Sequence, residues 1–409
     1  MTKQYDNFAD LITFTRASTG TYLDSDGLLK TATTNTPRIE YDANGNRKGL
    51  LIEEARTNLY TNSGDMDGTG WAGFRTTYSA GDTSPDGSQL FLLGTASETN
   101  ANGSNIAQQT PSLNAGVYTM SVFAKAGPTD AGLLCLRPGD NVGFTDAVQA
   151  WFNLETGTVA LANSSGGSSL ITTPLASIQD FGDGVYRCSL TFTVTGAVIC
   201  ATRHYIVNGS GSLVCTIGKQ AQLWGAQLEA GSFPTSYIST AGAAASRSDD
   251  VASIPTSAFG YNQKAGTVVC EFETQFGTTV GFPRIWEIGN TSTNINRVQV
   301  YVSSAAGNVF GAVFSNNVLF CNINTGAQTS PASGRVAFAF ADDDFAALID
   351  GGSPVTDTSG SFTTPSTPRN TLKIGGAGDS SSANMSGHIK SIQYYPRRLT
   401  NTQLQELTS

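Results

Sequence analysis

The sequence predicts an all-β protein: N-terminal β-hairpins that form an attachment region, followed by two β-sandwich, jelly-roll domains. Three observations predict it. Charge is sparse, at 13% Asp, Glu, Lys and Arg, while glycine is abundant, at 45 residues. Apolar residues recur with a period of two in many short runs, which puts one face of a strand on a core. Turn signals rich in Gly, Asp and Asn separate these runs at short intervals, as sandwiches and barrels require. A short helix is expected only at the end, over Thr400 to Leu407, capped by Thr400 or Asn401. The 409 residues favour two or three domains over a single core.

Residues 1–65 read as the first unit. Ile12-Thr13-Phe14-Thr15-Arg16 alternates like a strand. Turns at Asp24-Ser25-Asp26-Gly27 and Asp42-Ala43-Asn44-Gly45-Asn46 flank the runs Thr21-Tyr22-Leu23, Leu28-Leu29-Lys30, Arg38-Ile39-Glu40-Tyr41 and Gly49-Leu50-Leu51-Ile52-Glu53. A meander this small has no sizeable core of its own and must pack on a domain or a partner. The chain from Met1 onward is expected to dock, against a neighbouring subunit. Asp24 and Asp26 begin as a calcium loop does, but no Glu follows at the required distance, so a plain turn is expected.

Residues 66–250 read as the second unit. Its strand candidates include Gln89 to Leu93, Gly116 to Ala124, Gly132 to Leu136, Ala150 to Leu154, Val185 to Phe192 and Val198 to Ala201. The closing strand is the clearest. Trp224, Ala226 and Leu228 alternate with Gly225, Gln227 and Glu229, which predicts one apolar and one polar face. It stops at Gly231, and Pro234 opens an exposed turn. A small-residue linker, Gly242 to Ser246, leads to the acidic pair Asp249-Asp250. Residues 251–409 read as the third unit, a second two-sheet sandwich. Thr267 to Glu273, Arg284 to Ile288, Val298 to Val302, Arg335 to Phe340, Phe345 to Gly351, Thr371 to Gly375 and Gly387 to Tyr395 are its strands.

Charge and cysteine content exclude several classes. The formal net charge is −9, and the 23 Lys and Arg are scattered apart from Arg397-Arg398. Nucleic-acid binding needs basic patches that displace counterions, so no nucleic-acid partner is expected. No apolar run reaches the roughly 18 residues of a membrane span, and no membrane insertion is expected. The N-terminus lacks the segments of a secretion signal, so synthesis in a cytoplasm and release by a route such as lysis are expected. The six cysteines form no C-x-x-C pair and only two histidines are present. Buried free thiols are expected rather than zinc or disulfides.

The opening ITFTRASTGTYLDSDGLL, followed by GLLIEEARTNLY, resembles the N-terminal motif of tailed-bacteriophage virion proteins. The middle unit, with AGVYTMSVFAKAG, WFNLETGTV, DFGDGVYRCSLTFTV and LWGAQLEAGSFPTSYIST, resembles the carbohydrate-binding-type jelly roll of phage tail and fibre proteins. The end, FAALIDG with LKIGG and GHIKSIQYYPRRLTNTQLQEL, resembles the concanavalin A-like lectin/glucanase superfamily of the laminin-G sort. The resemblance implies a virion structural and adhesion protein, a tail fibre, spike or head fibre, located on the virion. Its implied partners are other virion proteins and a host surface glycan. A homo-oligomer is implied, a trimer being favoured, although no coiled-coil heptads demand one. Rival readings are a decoration or cement protein without glycan binding, and a glycan depolymerase.

Five groups of residues are candidates for chemistry. Glu271 and Glu273 lie two apart on a strand, about 7 Å from each other, a separation compatible with inverting glycoside hydrolysis. Glucanases of the resembled fold carry three carboxylates in an E-x-D-x-x-E type pattern, and this run supplies two. No catalytic residue is therefore assigned, and the expectation is a protein that is not an enzyme. Trp71, Phe74 and Tyr78 near the start of the middle domain, and Tyr205, are candidate sugar platforms, since flat rings stack on sugars. Trp151, Trp224 and Trp286 are expected in the cores. His204 is expected on a strand surface and His388 at a rim. Arg16, Glu53, Glu54, Arg56 and Arg247 are expected to form an ion-pair network tying the N-terminal hairpins to the linker, with contact to another virion protein as the second reading. Asp342 and Asp344, in the run Asp342-Asp343-Asp344, either form a hairpin turn or hold a calcium ion, the one cofactor considered.

Overall fold

The computed structural model of the chain describes residues 11–141, 146–166, 169–276, 282–290, 295–303, 307–360, 362, 365, 367–376 and 384–409. The docking expected of the segment from Met1 lies outside the described residues. The chain is almost wholly β, as the alternation predicts. The helices among the described residues are a single turn, Thr256–Phe259, and the terminal Asn401–Thr408. Thr400 caps the latter: its hydroxyl accepts from the Gln403 N–H at 3.3 Å, and the Gln403 side chain accepts from the Thr400 N–H at 3.0 Å.

Two antiparallel sheets make the middle sandwich. One runs in the order Thr158–Gly166, Asp146–Asn153, Leu133–Asp140, Val198–Val207, Ser104–Gln109, Ala72–Phe74. The other runs Ile171–Asp180, Val185–Val194, Gly116–Ala126, Gln220–Ala230, Leu90–Ala96, Thr76–Thr83. Leu134, Val148, Phe152 and Ile206 of the first meet Met120, Val122, Leu190 and Leu228 of the second in one core. Gln220–Ala230 lies inside its sheet, with Leu228 opposite Met120 and Trp224 opposite Phe123. Its polar residues do not face solvent. Gln227 and Glu229 are fully buried, because the chain after Pro234 folds back over them. Thr235 donates its hydroxyl to Glu229 at 2.7 Å, and the Ile238 N–H donates to Gln227 at 2.7 Å. Buried polar groups need such partners, so the turn expected to be exposed is a half-buried clamp. The expected linker is also partly a strand, Ala245–Arg247, paired with Arg56–Asn58.

The second sandwich is assembled from both ends of the chain. One sheet runs Thr13–Thr15, Val251–Pro255, Thr371–Ile374, Arg284–Gly289, Arg297–Val302, Asn308–Ser315, Val318–Ala327. The other runs Val355–Asp357, Asp344–Ile349, Ala332–Ala341, Ala265–Gln275, Ser386–Tyr395, Arg47–Ile52, Arg38–Tyr41. The N-terminal residues therefore do not stand apart as hairpins: they supply edge strands to both sheets of the C-terminal sandwich. Phe14 faces Ala252, and Leu50 faces Ile389. Gly49 makes the second pairing close, since a Cβ there would lie 2.4 Å from the Ile389 carbonyl oxygen, and its φ of 128° favours glycine. The remaining hairpin, Gly20–Leu23 with Leu29–Ala32, turns to the other sandwich, where Leu29 packs with Phe91, Phe123, Trp224 and Tyr237. A segment too small for its own core thus joins two larger ones. Trp151, Trp224 and Trp286 are buried as expected, and all six cysteines are buried and free.

The two outer faces of the C-terminal sandwich differ. On one, the helix Asn401–Thr408 covers the sheet: Leu399 and Leu404 pack on Val269, Ala337, Ala339, Ala346 and Leu348. The small alanines let the helix sit close. The other face keeps aromatic rings at the surface.

Candidate functional site

That second face is built by strand alternation. Val298, Val300 and Val302 point into the core, as do Val309 and Val313. The intervening positions, Arg297, Gln299 and Tyr301 on one strand and Phe310, Ala312 and Phe314 on the next, point outward, and the register sets Tyr301 against Phe310 and Arg297 against Phe314. The Tyr301 and Phe310 rings are stacked, 5.1 Å apart and 12° from parallel. The exposed Phe282 meets Tyr301 edge-on at 5.6 Å. Arg284 lies over Tyr301 at 5.2 Å and Arg297 over Phe314 at 3.7 Å. Hydrogen-bonding groups frame the rings. Tyr301 donates its hydroxyl to Asn322 Oδ1 at 3.1 Å, Arg297 Nε donates to Gln299 at 3.2 Å, and Asn322 and Asn324 are exposed on the edge strand. Glu287, 3.8 Å from Arg284, and Lys373, opposite it in the register, complete the charged groups of the strands described. Burial pushes the Tyr301 hydroxyl up, against smaller opposing effects of Asn322 and Arg284, so the ring stays neutral. Flat rings beside amides and guanidinium groups offer stacking and directional hydrogen bonds on one open surface.

The expected ion-pair group divides in two. Arg16, Glu53 and Arg247 come together at the junction of the N-terminal strands and the two sandwiches, with Arg38 and Asp250 as members the sequence reading missed. Arg16 reaches Asp250 at 3.0 Å, Arg38 reaches Asp250 at 2.5 Å and Glu53 at 2.8 Å, and Arg247 lies 3.5 Å from Glu53. All five are buried. Burial raises the Glu53 carboxyl, but Arg247 and Arg38 outweigh it and hold the group well below the usual carboxylate range. Glu54 and Arg56 form a separate pair nearer the surface. No local signal marks the missing members: Arg38 is the one buried residue of a strand that is otherwise half-exposed, and Asp250 lies 212 residues away.

The proposed sugar platforms fare differently. Tyr205 is buried among Cys135, Trp151 and Val207 and presents no ring to solvent. Trp71 is half-buried: its indole donates to the Asn62 carbonyl at 3.0 Å, and its ring meets Tyr60 at 5.1 Å and His204 at 5.8 Å. His204 is fully buried rather than on a surface, and burial drops its imidazole to about 4. Tyr205 and His204 alternate along Val198–Val207, but both faces of the strand are covered there. Phe74 is 50% exposed. Tyr78 is 38% exposed with its hydroxyl donated to the Ile106 carbonyl at 2.7 Å, and it borders an open hollow of about 300 Å³ with Asp65, Asp67 and Leu90.

The acidic candidates are engaged by other groups. Asp342 accepts from the Phe362 N–H at 2.7 Å, and Asp344 pairs with Arg398 at 2.9 Å. The two carboxylates serve a turn and a salt bridge, and among the described residues they belong to no group of three or more potential metal ligands. Asp24 accepts from the N–H groups of Asp26 and Leu28, which makes it a plain turn. Glu271 is held by Lys390 at 2.8 Å and Arg335 at 3.0 Å. Glu273 is 2.9 Å from Lys48 and 3.7 Å from His388. Hydrogen bonds from these partners lower both carboxyls, Glu273 to about 2. Both are ionised at neutral pH, whereas a general acid must hold its proton. His388 is buried rather than at a rim, with Nε2 2.6 Å from Glu40.

No protein-family model and no curated protein sequence matches the chain. Among solved structures, it is similar to the Ruminococcus gnavus IT-sialidase CBM40, at 16% identity over 36% of this chain and 84% of that one, with a TM-score of 0.31. It is also similar to the native heptameric SAP-like pentraxin from Limulus polyphemus, at 19% identity over 36% and 73%, TM-score 0.29. A third likeness is domain 4 of AbnA, a GH43 extracellular arabinanase from Geobacillus stearothermophilus in complex with arabinotriose, at 14% identity over 39% and 73%, TM-score 0.30. Likenesses this distant leave the function to the geometry of the chain's own residues.

Proposed function

We propose that the chain is a bacteriophage virion adhesion protein, a fibre or spike component, that binds host-surface glycans without cleaving them. The observation that carries the proposal is the aromatic face, where Tyr301, Phe310 and Phe282 offer rings beside Asn322 and Arg284. Pyranose rings present C–H faces to such platforms and hydroxyls to such amides. This reading puts the glycan on the C-terminal sandwich in place of the rings Trp71, Tyr78 and Tyr205 that the sequence suggests in the middle one. The phage assignment, the location on the virion and the favoured trimer rest on the motifs at 12–29 and 49–60 and in the middle unit. The two ionised glutamates of the Glu271 strand support a role without catalysis.

The test is binding of the purified protein to an array of bacterial surface polysaccharides, beside a Tyr301→Ala, Phe310→Ala double variant. Saturable binding that weakens about tenfold or more in the variant is expected, the equivalent of roughly 1.4 kcal/mol. Fragments released from the polysaccharide would establish a depolymerase instead. No binding to any surface glycan, with particles that fall apart when the protein is deleted, would establish a cement protein.

A further inference from the structure

The charges around the aromatic face narrow the class of glycan it takes. We propose that the ligand is an anionic oligosaccharide, one carrying carboxylate or phosphate groups, laid across the strands; this rests on the glycan-binding reading of the same face.

The strand register sets the groups in a row. Arg284 pairs with Tyr301, Tyr301 with Phe310, and Phe310 with Asn324. Partners on one face of a sheet are neighbours, so the row runs guanidinium, ring, ring, amide. Its four strands span roughly 14 Å at ~4.8 Å per gap, room for more than one sugar ring.

Charge supplies the class. The seven strands of this sheet carry Arg284, Arg297 and Lys373 against one carboxylate, Glu287, and three less one leaves two positive charges in excess. The partner sheet of the same sandwich balances its Lys and Arg with as many Asp and Glu, and the whole chain carries a net −9. The positive surplus is therefore local to the sheet that bears the rings.

The surplus faces outward. Lys373 lies between Leu372 and Ile374, which enter the core, so it stands on the outer face. It is half-buried and, among the described residues, forms no salt bridge. Glu287 is buried 3.8 Å from Arg284, and one carboxylate offsets one cation. A guanidinium that stacks by its face, as Arg297 does over Phe314 at 3.7 Å, recognises carboxylate or phosphate through its edge. An anionic group belongs at the Arg284 end of the row, with Lys373 one strand further on, and hydroxyls belong at the exposed Asn322 and Asn324.

The experiment measures affinity of the full chain for four sets of polymers: uronic-acid polysaccharides, the same polysaccharides after carboxyl reduction, phosphate-bearing teichoic polymers, and neutral glucans. Uronic or teichoic polymers are expected to bind about tenfold or more tighter than reduced and neutral ones, an advantage that shrinks as sodium chloride is raised. A preference for the uronic set identifies carboxylate as the group recognised, and one for the teichoic set identifies phosphate. Lys373→Gln should cut the advantage by about threefold or more while leaving affinity for the reduced polymers within about twofold, and Lys373→Arg should restore it. Equal affinity for charged and uncharged polymers, weakened in the Tyr301→Ala, Phe310→Ala variant, would overturn the anionic class and leave the glycan reading standing. Equal losses for native and reduced polymers in Lys373→Gln would overturn it as well. No binding to any polymer would overturn the glycan reading, and this proposal with it.

Discussion

At the junction, Arg16 and Arg38 keep none of their side-chain surface in water, and each meets a carboxylate within 3.0 Å. On the open face, Arg284 and Arg297 lie across Tyr301 and Phe314 instead. The residue types are alike, but the surroundings reverse their roles. In the buried cluster Arg38 spans Asp250 and Glu53, and Ser236 donates twice to Glu53, so the charges are tied into the scaffold. On the face, the charges sit over rings that solvent reaches, where a ligand can replace water. Burial with partners makes a rivet, and stacking at a surface makes a contact.

The comparison can be broken most sharply at its buried end. Asp250→Ala leaves Arg16 and Arg38 without the carboxylate they share, and is expected to cost about 3–5 kcal/mol by urea unfolding. Glu54→Ala, which cuts the more exposed pair with Arg56, is expected to cost at most ~1 kcal/mol. Equal losses would show that the buried cluster has no special weight. Next in size is Trp71→Ala. Its half-buried ring packs on Tyr60 and His204, so a loss of about 2–3 kcal/mol is expected, with glycan affinity unchanged. Loss of affinity at unchanged stability would return the sugar site to the middle sandwich.

Much of the fold was legible in local alternation, as at Val298, Val300 and Val302, and in turn chemistry, as at Asp24. Pairings across long sequence separations were not. Arg16 and Asp250 are 234 residues apart, and Arg38 and Asp250 are 212 apart. Nothing local in RIEY or SRSDDV shows that these segments meet. Alternation also says which residues share a face, but not whether that face is covered. Glu229, Tyr205 and His204 were misplaced for this reason, since second layers cover the faces read as open. The same gap hid the aromatic face. Tyr301 stands out of phase with the core valines of its own strand, which was a usable signal, and Asn308–Ser315, which brings Phe310 beside it, was not recognised as a strand.

A smaller effect tests whether the open face is independent of the scaffold. Tyr301→Ala is expected to weaken glycan binding about tenfold while costing only about 1–2 kcal/mol of stability, because the ring is half-buried against Phe310 and Phe282 and not in the core. A large loss of stability would make Tyr301 part of the packing and remove it from recognition.

The smallest expected effect is the pH dependence of the contact between the N-terminal strands and the C-terminal sandwich. His388 faces Glu40 and Glu273, with Lys48 beside them. Burial alone would lower its pKa, but the carboxylates of Glu273, at 3.7 Å, and Glu40, hydrogen-bonded at 2.6 Å, prevail and raise it above 6.5. Its stabilisation is therefore complete below about pH 6.5 and fades as pH rises through the raised value. Glu273 and Glu40 act in the other direction. Their lowered pKa values give stabilisation that is complete above about pH 4.5 and fades in acid. Together they predict a stability plateau between about pH 4.5 and 6.5, with a decline on either side. Urea midpoints at pH 5.5 and 8.5 check the alkaline limb. His388→Asn should remove the His388 share of that decline and shrink the acid limb as well, since His388 is the leading cause of the lowering at both carboxyls and Lys48 alone would remain. A wild-type midpoint equal at the two pH values would mean that the imidazole gains nothing from its two carboxylates, and that the N-terminal strands are held by backbone pairing alone.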